Sequence, residues 1–249
     1  MTVSRLLSLP LLALAPLMLV ACGDDAATDG TVARGEPIPA IAPPAGQQWS
    51  DVVTITPEGG YMVGNPDAPI KLVEYASHTC GVCARFATTG KPVIKQKYVP
   101  TGVVAFEQRE VFLNPYDVIL ATLAQCGAKE QFQPLSDQVW EEHDPIVALL
   151  QSNPQAVQAA ENLPLNQRFA AIAEATGLLE FFAARGLSAD QGRACLADSA
   201  KIEALVNTTK AQADKDKVTG TPTFFLNGQR VDGTAWEVVE PQLQRAGAR

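Results

Sequence analysis

The feature that most constrains this chain is Cys80-Gly81-Val82-Cys83, placed directly after an apolar stretch and a short polar turn. The apolar stretch, Ile70–Ala76, is rich in Leu, Val and Tyr and is predicted to form a buried strand. The turn at 77–79 ends that strand, and the residues after it can begin a helix. A cysteine at a helix start has a stabilised thiolate, because the free backbone N–H groups and the helix dipole favour negative charge. Thiolates attack disulfides, so the motif predicts a redox site.

The main alternative for two cysteines at this spacing is half of a zinc site. Such a site needs a second cysteine pair or a histidine cluster to complete four ligands. The chain has two histidines, His78 and His143, and its remaining cysteines after the motif, Cys126 and Cys195, lie far apart in sequence. Redox chemistry is therefore favoured, with no metal and no bound cofactor beyond the cysteine pair itself.

Composition excludes other classes of protein. With 249 residues, 47% of them hydrophobic, the chain can bury a substantial core and is not disordered throughout. The net charge is −8 and the basic residues are scattered. Because nucleic-acid binding needs a basic surface that follows phosphates, we expect no nucleic-acid partner.

The N-terminus has the pattern of a bacterial lipoprotein signal peptide over residues 1–21. Arg5 precedes an apolar run, Leu6–Val20, that is short for a membrane span. The following Ala21-Cys22-Gly23 completes a segment that resembles the lipobox, which implies cleavage before Cys22 and its lipidation. The alternative is an ordinary secretory signal cut after Ala21. Both send the chain into the cell envelope, where disulfides persist, and the lipoprotein interpretation makes it periplasmic and anchored to a membrane by lipid.

Residues 22–50 are rich in Asp, Ala, Gly and Pro and are predicted to be a flexible membrane tether. The folded domain is predicted over residues 51–249. It begins with a hairpin of Asp51–Thr56 and Tyr61–Gly64 around Gly59-Gly60.

The rest of the domain alternates strands and helices. A helix over 80–98, kinked near Gly90 and Pro92, is predicted to lead to a second central strand, Gly102–Leu113. A strand, helix and strand in this order predict parallel neighbours. Residues from about 115 to 214 show only helical patterns, with breaks at Pro145, Pro154 and Pro164.

The chain's last strands are predicted at Gly220–Val231, with Asn227-Gly228 as a two-residue hairpin turn. A final helix is predicted over Thr234–Arg245. The expected fold class is therefore α/β, with a central mixed sheet flanked by helices and an inserted helical domain.

The segment Val73–Phe86 together with Val218–Gly228 resembles the DsbA-type branch of the thioredoxin superfamily. The similarity extends over about residues 60–245. It implies a thioredoxin fold with a helical insertion at about 115–214 and thiol:disulfide oxidoreductase activity.

The resemblance also implies a role for each matching residue. Cys80 corresponds to the exposed cysteine that carries the mixed disulfide, and Cys83 to the buried resolving cysteine. Pro222 corresponds to a cis-proline packed beside the motif, a rare and deliberate feature. Thr221 precedes it, and its free backbone is expected to pair with an extended substrate chain.

Two ionisable residues near the motif have expected roles. Glu74 corresponds to a buried acid that exchanges protons with the resolving thiol, and burial is expected to raise its pKa. The alternative is a strand-end acid that reaches solvent. His78 is expected to lie at the substrate-binding surface and add positive charge near Cys80, the alternative being a loop histidine without a role.

Cys126 and Cys195 are expected to form a structural disulfide within the insertion, because some relatives have a second disulfide in this region and the chain is expected to be exported. The alternative is two independent buried thiols.

Val82 departs from the family pattern and affects the direction of electron flow. Strongly oxidising relatives have a histidine at this position, and the side chain of Val82 offers neither a charge nor a hydrogen bond. An oxidase is still expected, with a disulfide isomerase or reductase as the alternative. A non-enzymatic binding lipoprotein or metal chaperone is the alternative from another class. The expected partners are exported polypeptides with thiols or disulfides, and a membrane redox partner that is either a DsbB-like oxidase or a thiol reductant.

Overall fold

The computed structural model describes residues 34–249. The predicted signal peptide, at residues 1–21, and the predicted lipidation site Cys22 lie outside the described residues. Between residues 34 and 249, no helix has both the length and the apolar character needed to cross a membrane.

Within residues 34–249, six strands form one mixed sheet in the order β1-β2-β4-β3-β5-β6. The two central strands, β3 and β4, are parallel, and every other neighbouring pair is antiparallel. The predicted parallel pair and the predicted N-terminal hairpin are therefore confirmed. The strands are β1 (Val53–Ile55), β2 (Tyr61–Val63), β3 (Ile70–Ala76), β4 (Val104–Glu110), β5 (Thr223–Leu226) and β6 (Gln229–Arg230).

The helix that follows the cysteine motif, α1 (Gly81–Val93), connects β3 to β4. Its regular part is shorter than the predicted helix over 80–98, because a π-helical turn (Ile94–Tyr98) and a 3-10 turn (Val99–Thr101) follow it. Pro92 lies in the last turn of α1, where the change to the π-helical turn begins.

In the described chain, eight helices lie between β4 and β5 and form the predicted helical insertion. The three prolines expected to break this region lie just before a helix or within its first turn, where the N–H that proline lacks would be unpaired in any case. The helices are α2 (Pro115–Ala124), α3 (Lys129–Glu141), α4 (His143–Gln151), α5 (Pro154–Glu161), α6 (Leu165–Ala175), α7 (Leu178–Ala183), α8 (Ala189–Ala197) and α9 (Ser199–Lys215). A last helix, α10 (Trp236–Arg245), follows the sheet.

The predicted turn at Asn227-Gly228 joins β5 to β6. Both residues have positive φ angles, +49° and +81°, as a type I′ hairpin turn requires. The Asn227 side chain accepts a hydrogen bond from Lys71 N at 2.8 Å and donates one to Pro69 O at 3.0 Å. The hairpin is thereby fixed to the start of β3.

Two large apolar clusters flank the sheet. One packs α1 and α10 against the central strands, with Leu72, Phe86 and Phe224 at its centre. The other fills the helical insertion and includes Leu120 and Phe182. The cysteine motif lies where α1 leaves the sheet, in a smaller cluster with Ala76 and Trp140.

Residues 34–50 lie along the domain, so the prediction of a flexible tether does not hold for this part. Ile38 N donates to Gly247 O at 3.0 Å, and Ile41 N donates to Thr101 O at 2.8 Å. Trp49 is 8% exposed and donates from its indole to Ile41 O at 2.7 Å. These few apolar anchors hold a segment whose composition as a whole suggested disorder.

Candidate active site

Cys80 is the N-cap residue of α1. Its Sγ accepts a hydrogen bond from Cys83 N at 3.3 Å, so the first helical turn presents a backbone donor to the sulfur. As a thiol, Cys80 also donates to Thr221 O at 3.4 Å. The residue is only 9% exposed, less than the exposed position that the resemblance implied, because its sulfur packs against Thr221. This is the helix-start position that the sequence predicts for the reactive cysteine.

The two thiols of the motif, both unbonded, differ in acidity. The Cys83 thiol, which donates a hydrogen bond to Cys80, is the largest influence that lowers the pKa of Cys80, to about 5. The Thr221 side chain and the N–H groups of the helix start lower it further, against the effect of burial. Burial raises the pKa of Cys83, which is completely inaccessible. The pair therefore consists of one thiolate and one thiol at neutral pH.

Cys80 is supported by a turn that the insertion holds in place. Asp117, a fully buried residue of α2, accepts hydrogen bonds from Ser77 Oγ and Thr79 N, both at 2.9 Å. Trp140 of α3 donates from its indole to Ser77 O at 3.0 Å. Neither residue was among the sequence candidates. The sequence does contain a signal for Asp117, because Asn114 and Asp117 have the spacing of a capping box, which predicts a helix start.

Opposite Cys80 lies the segment just before β5. The Thr221–Pro222 peptide bond is cis, as predicted, and Pro222 is buried while Thr221 is partly exposed. Through its carbonyl, Thr221 contacts Cys80 directly. The structure therefore brings together two motifs that are 141 residues apart in sequence.

Glu74 lies on β3 and is 1% exposed, which rules out a strand-end acid in contact with solvent. Within residues 34–249, neither of its carboxyl oxygens has a hydrogen-bond partner. Burial raises the pKa of Glu74 to about 8, although the nearby Lys91 opposes the shift. At neutral pH this carboxyl group therefore holds a proton for most of the time.

His78 is completely buried, so the prediction that it contacts substrate is wrong. Its Nδ1 lies 3.3 Å from Glu110 Oε2, and its Nε2 lies 3.1 Å from Ser136 Oγ. The ring also stacks on Trp140, with 4.9 Å between the ring centroids. The turn after β3 directs this side chain into the protein, where β4 supplies Glu110 and the insertion supplies Ser136 as polar partners that sequence inspection does not show.

A buried lysine completes the polar interior beneath the motif. Lys91 of α1 is 1% exposed, and its Nζ lies 2.6 Å from Asp137 Oδ1 and 2.8 Å from Gln108 Oε1. Its ammonium group also lies 4.6 Å from the centre of the Trp140 ring, a cation–π contact. Lys91 was not a sequence candidate, because a lysine on a helix is ordinarily exposed.

The family model for thioredoxin matches residues 56–245. This chain belongs to the thioredoxin family. Its fold and its pairing of a CxxC motif with a cis-proline are those that the sequence resemblance implied.

Several known proteins are similar to this thioredoxin-family chain. A protein of Rickettsia bellii, named "Putative protein-disulfide oxidoreductase", is 26% identical over 190 residues. The match covers 76% of this chain and 65% of the Rickettsia protein, so the chain spans less than two thirds of that relative's length.

Among solved structures, a protein-disulfide isomerase from Novosphingobium aromaticivorans aligns with a TM-score of 0.69 and 29% identity, over 74% of this chain and 96% of that one. The alpha-DsbA1 of Wolbachia pipientis aligns with a TM-score of 0.60 and 24% identity, over 80% of this chain and 96% of that one. The likeness to alpha-DsbA1 establishes a shared DsbA-like fold.

The second cysteine pair of this thioredoxin-family chain lies in the insertion. Cys126 and Cys195 form a disulfide with a Cα–Cα distance of 5.9 Å, the pairing that was predicted. The bond joins the residue shortly after α2 to α8. In the described part of the chain, no group of three or more His, Cys, Asp or Glu side chains is arranged to hold a metal ion.

Proposed function

We propose that this chain is an exported thiol:disulfide oxidoreductase of the DsbA type, which oxidises the thiols of extracytoplasmic polypeptides. The observation that carries this proposal is the difference between the two thiols of the motif. Cys80 lies at a helix start with a pKa of about 5, and Cys83 is completely buried with a raised pKa. Stabilising the Cys80 thiolate favours the reduced pair, which makes the disulfide a stronger oxidant.

In the proposed reaction, a substrate thiolate attacks the Cys80 sulfur of the oxidised pair. A mixed disulfide forms, and the Cys80–Cys83 bond breaks with its electron pair going to the Cys83 sulfur. Glu74, protonated at neutral pH, supplies the proton that Cys83 takes up. The structure supports this role because Glu74 is a buried acid that interacts electrostatically with Cys83.

The second substrate thiolate then attacks the substrate sulfur of the mixed disulfide. This step releases the oxidised substrate and leaves Cys80 as a thiolate. Thr221 and Pro222 are proposed to contact the substrate chain, since Thr221 lies against the Cys80 sulfur and is partly exposed. No cofactor beyond the Cys80–Cys83 pair is needed.

The reduced enzyme must be oxidised again. We propose a DsbB-like membrane oxidase as the partner, and lipidated Cys22 as the periplasmic anchor that keeps the enzyme near it. The lipobox-like segment around Cys22 supports this anchoring. Labelled fatty acid should enter the wild-type protein in cells, whereas C22S should lack the label and leave the membrane fraction.

Disulfide isomerisation or reduction is the second candidate function. Val82, which is 42% exposed between the two cysteines, brings no charge to the site. The Novosphingobium protein with a similar structure is named an isomerase. A dithiol that is kept reduced would use the same attack by Cys80, with the opposite direction of electron flow.

The reduction potential separates these functions. The mature chain is equilibrated with glutathione buffers, and the fraction of oxidised Cys80–Cys83 pair is measured by alkylation. A potential near about −120 mV is expected for a disulfide donor, whereas a value of about −200 mV or lower supports an isomerase or reductase and overturns the oxidase proposal. A pair that does not exchange with glutathione at all overturns both. C80S is the control that leaves Cys83 without a partner.

A further inference from the structure

His143 begins α4 and lies against the cysteine motif, although it is far from it in sequence. Its Nε2 lies 3.2 Å from Thr79 O, the carbonyl of the peptide group that leads into Cys80. On the other side of Cys80, a methyl group added to Gly81 would meet Cε1 of His143 at 3.5 Å. The imidazole ring therefore contacts the residue before Cys80 and lies close to the residue after it.

Both ring nitrogens of His143 face hydrogen-bond acceptors. Nε2 faces the Thr79 carbonyl, and Nδ1 lies 3.2 Å from Asp144 Oδ1. A carbonyl and a carboxylate both accept hydrogen bonds, and only the imidazolium form can donate from both ring nitrogens. A neutral ring would leave one nitrogen lone pair facing an acceptor. The side chain of His143 is 18% exposed, so water would only partly screen a charge at this position.

We propose that His143 is a positioning residue, supplied by the helical insertion, which holds Cys80 in the thiolate form by placing a positive charge beside the start of α1. This inference rests on the proposed thiol–disulfide exchange at Cys80. It assigns to the insertion a charge that the dipeptide between the cysteines lacks, because Gly81 and Val82 are both uncharged.

Other charged groups near the ring do not supply the same effect. Arg85, Glu141 and Asp144 line the same open groove of about 620 Å³ beside the motif. Arg85 is exposed on α1, and the side chain of Asp144 is fully exposed, so water screens both charges more strongly than that of His143. Glu142, next to the ring in sequence, is paired with Arg185.

Oxidation of a substrate dithiol moves two protons as well as two electrons, and each proton has an acceptor. The substrate loses two electrons and two protons as its disulfide forms, and the enzyme disulfide gains the two electrons. One proton is taken up by Cys83. The other is released to water, because Cys80 remains a thiolate beside a His143 ring that already carries its second proton in the proposed arrangement.

The test compares two variants of His143 in the full mature chain. H143Q keeps a hydrogen-bond donor for Thr79 O but has no charge, and H143R has a permanent charge with room in the open groove. The pKa of Cys80 is measured from the ultraviolet absorbance of its thiolate, and the redox equilibrium is measured with glutathione. We expect H143Q to lower the thiolate-to-thiol ratio about three- to tenfold, as is typical of losing a nearby opposite charge. The equilibrium constant with glutathione should shift toward the enzyme disulfide by a similar factor, and H143R should restore both values.

R85Q is the matched control, since it removes a cation from the same groove, and it should change either value less than about twofold. The inference is overturned if H143Q behaves like wild type, if H143Q and H143R are shifted equally, or if R85Q has the effect of H143Q. If H143Q does not fold, H143N replaces it. A wild-type pair that does not exchange with glutathione would overturn the proposed function, whereas the thiolate absorbance would still report on His143.

Discussion

The two cysteine pairs of this protein lie in opposite kinds of surroundings. Cys80 and Cys83 are free thiols three positions apart at the start of a helix, where one sulfur meets a backbone donor and the other is completely buried. Cys126 and Cys195 are bonded across 69 residues and are both partly buried between two helices of the insertion. The proposed redox pair, Cys80 and Cys83, is asymmetric in pKa, and the disulfide pair joins distant parts of the chain. Two nearby cysteines are thus suited to disulfide exchange when the pKa values of their two thiols differ, and proximity alone is not enough.

The largest expected effect comes from removing the attacking sulfur. C80S should lower the rate of disulfide exchange with a peptide substrate by about a thousandfold or more, because a serine hydroxyl is not ionised near neutral pH. Circular dichroism and the melting temperature should remain close to those of wild type. Retention of exchange activity in C80S would show that the other cysteine pair carries the reaction.

The reverse experiment removes the structural pair. The double variant C126S/C195S should lose up to about 4 kcal/mol of unfolding free energy, because the disulfide closes a loop of about 70 residues in the unfolded chain. Urea unfolding measures this loss. The exchange rate per folded molecule should stay within about twofold of wild type, and a large fall in that rate would mean that the two pairs are not independent.

Glu74 makes the surroundings of the Cys80–Cys83 pair sensitive to pH, which the surroundings of the disulfide pair are not expected to be. Its pKa rises from 4.5 to about 8 on folding, so the folded protein binds its proton more tightly than the unfolded chain does. The stability that this gives is fully present below about pH 4.5 and is lost as the pH rises to about 8. Between pH 4 and pH 7, the free energy of unfolding of the wild type should therefore fall by about 3 kcal/mol more than that of E74Q, as linkage requires. Urea unfolding of the reduced proteins at both pH values tests this, and an equal pH dependence in the two proteins would contradict the buried-acid assignment.

The smallest expected effect is in the pH profile of Cys80. With a pKa of about 5, the thiolate is nearly fully formed at pH 6 and above, so its alkylation rate should be flat from pH 6 to 8. Below about pH 5 the rate should fall about tenfold per pH unit. Iodoacetamide labelling followed by mass spectrometry measures the rate, and C83S shows how much of the profile depends on the Cys83 thiol. A profile that rises through pH 8 would contradict the low pKa.

Much of the fold follows from local patterns in the sequence. The apolar run before the motif, the hairpin turn at Asn227-Gly228 and the helical region between the two halves of the fold all lie where the sequence predicted them. These features depend on side-chain alternation and turn chemistry within a few residues. The cysteine at the helix start belongs to the same group, whereas its buried partner and the cis-proline were expected from the resemblance to the DsbA-type family.

Other features were decided only by the tertiary structure. His78 is buried against Glu110 instead of facing substrate, and residues 34–50 lie along the domain although their composition suggested a tether. His143 reaches the motif from the insertion, and Asp117 holds the turn before Cys80. The sequence by itself indicated which residues are candidates for the redox pair, because thiol chemistry depends on residue type and local backbone. Which charges surround those residues depends on chain segments many residues apart, and only the packing of the insertion against α1 and β3 brought them together.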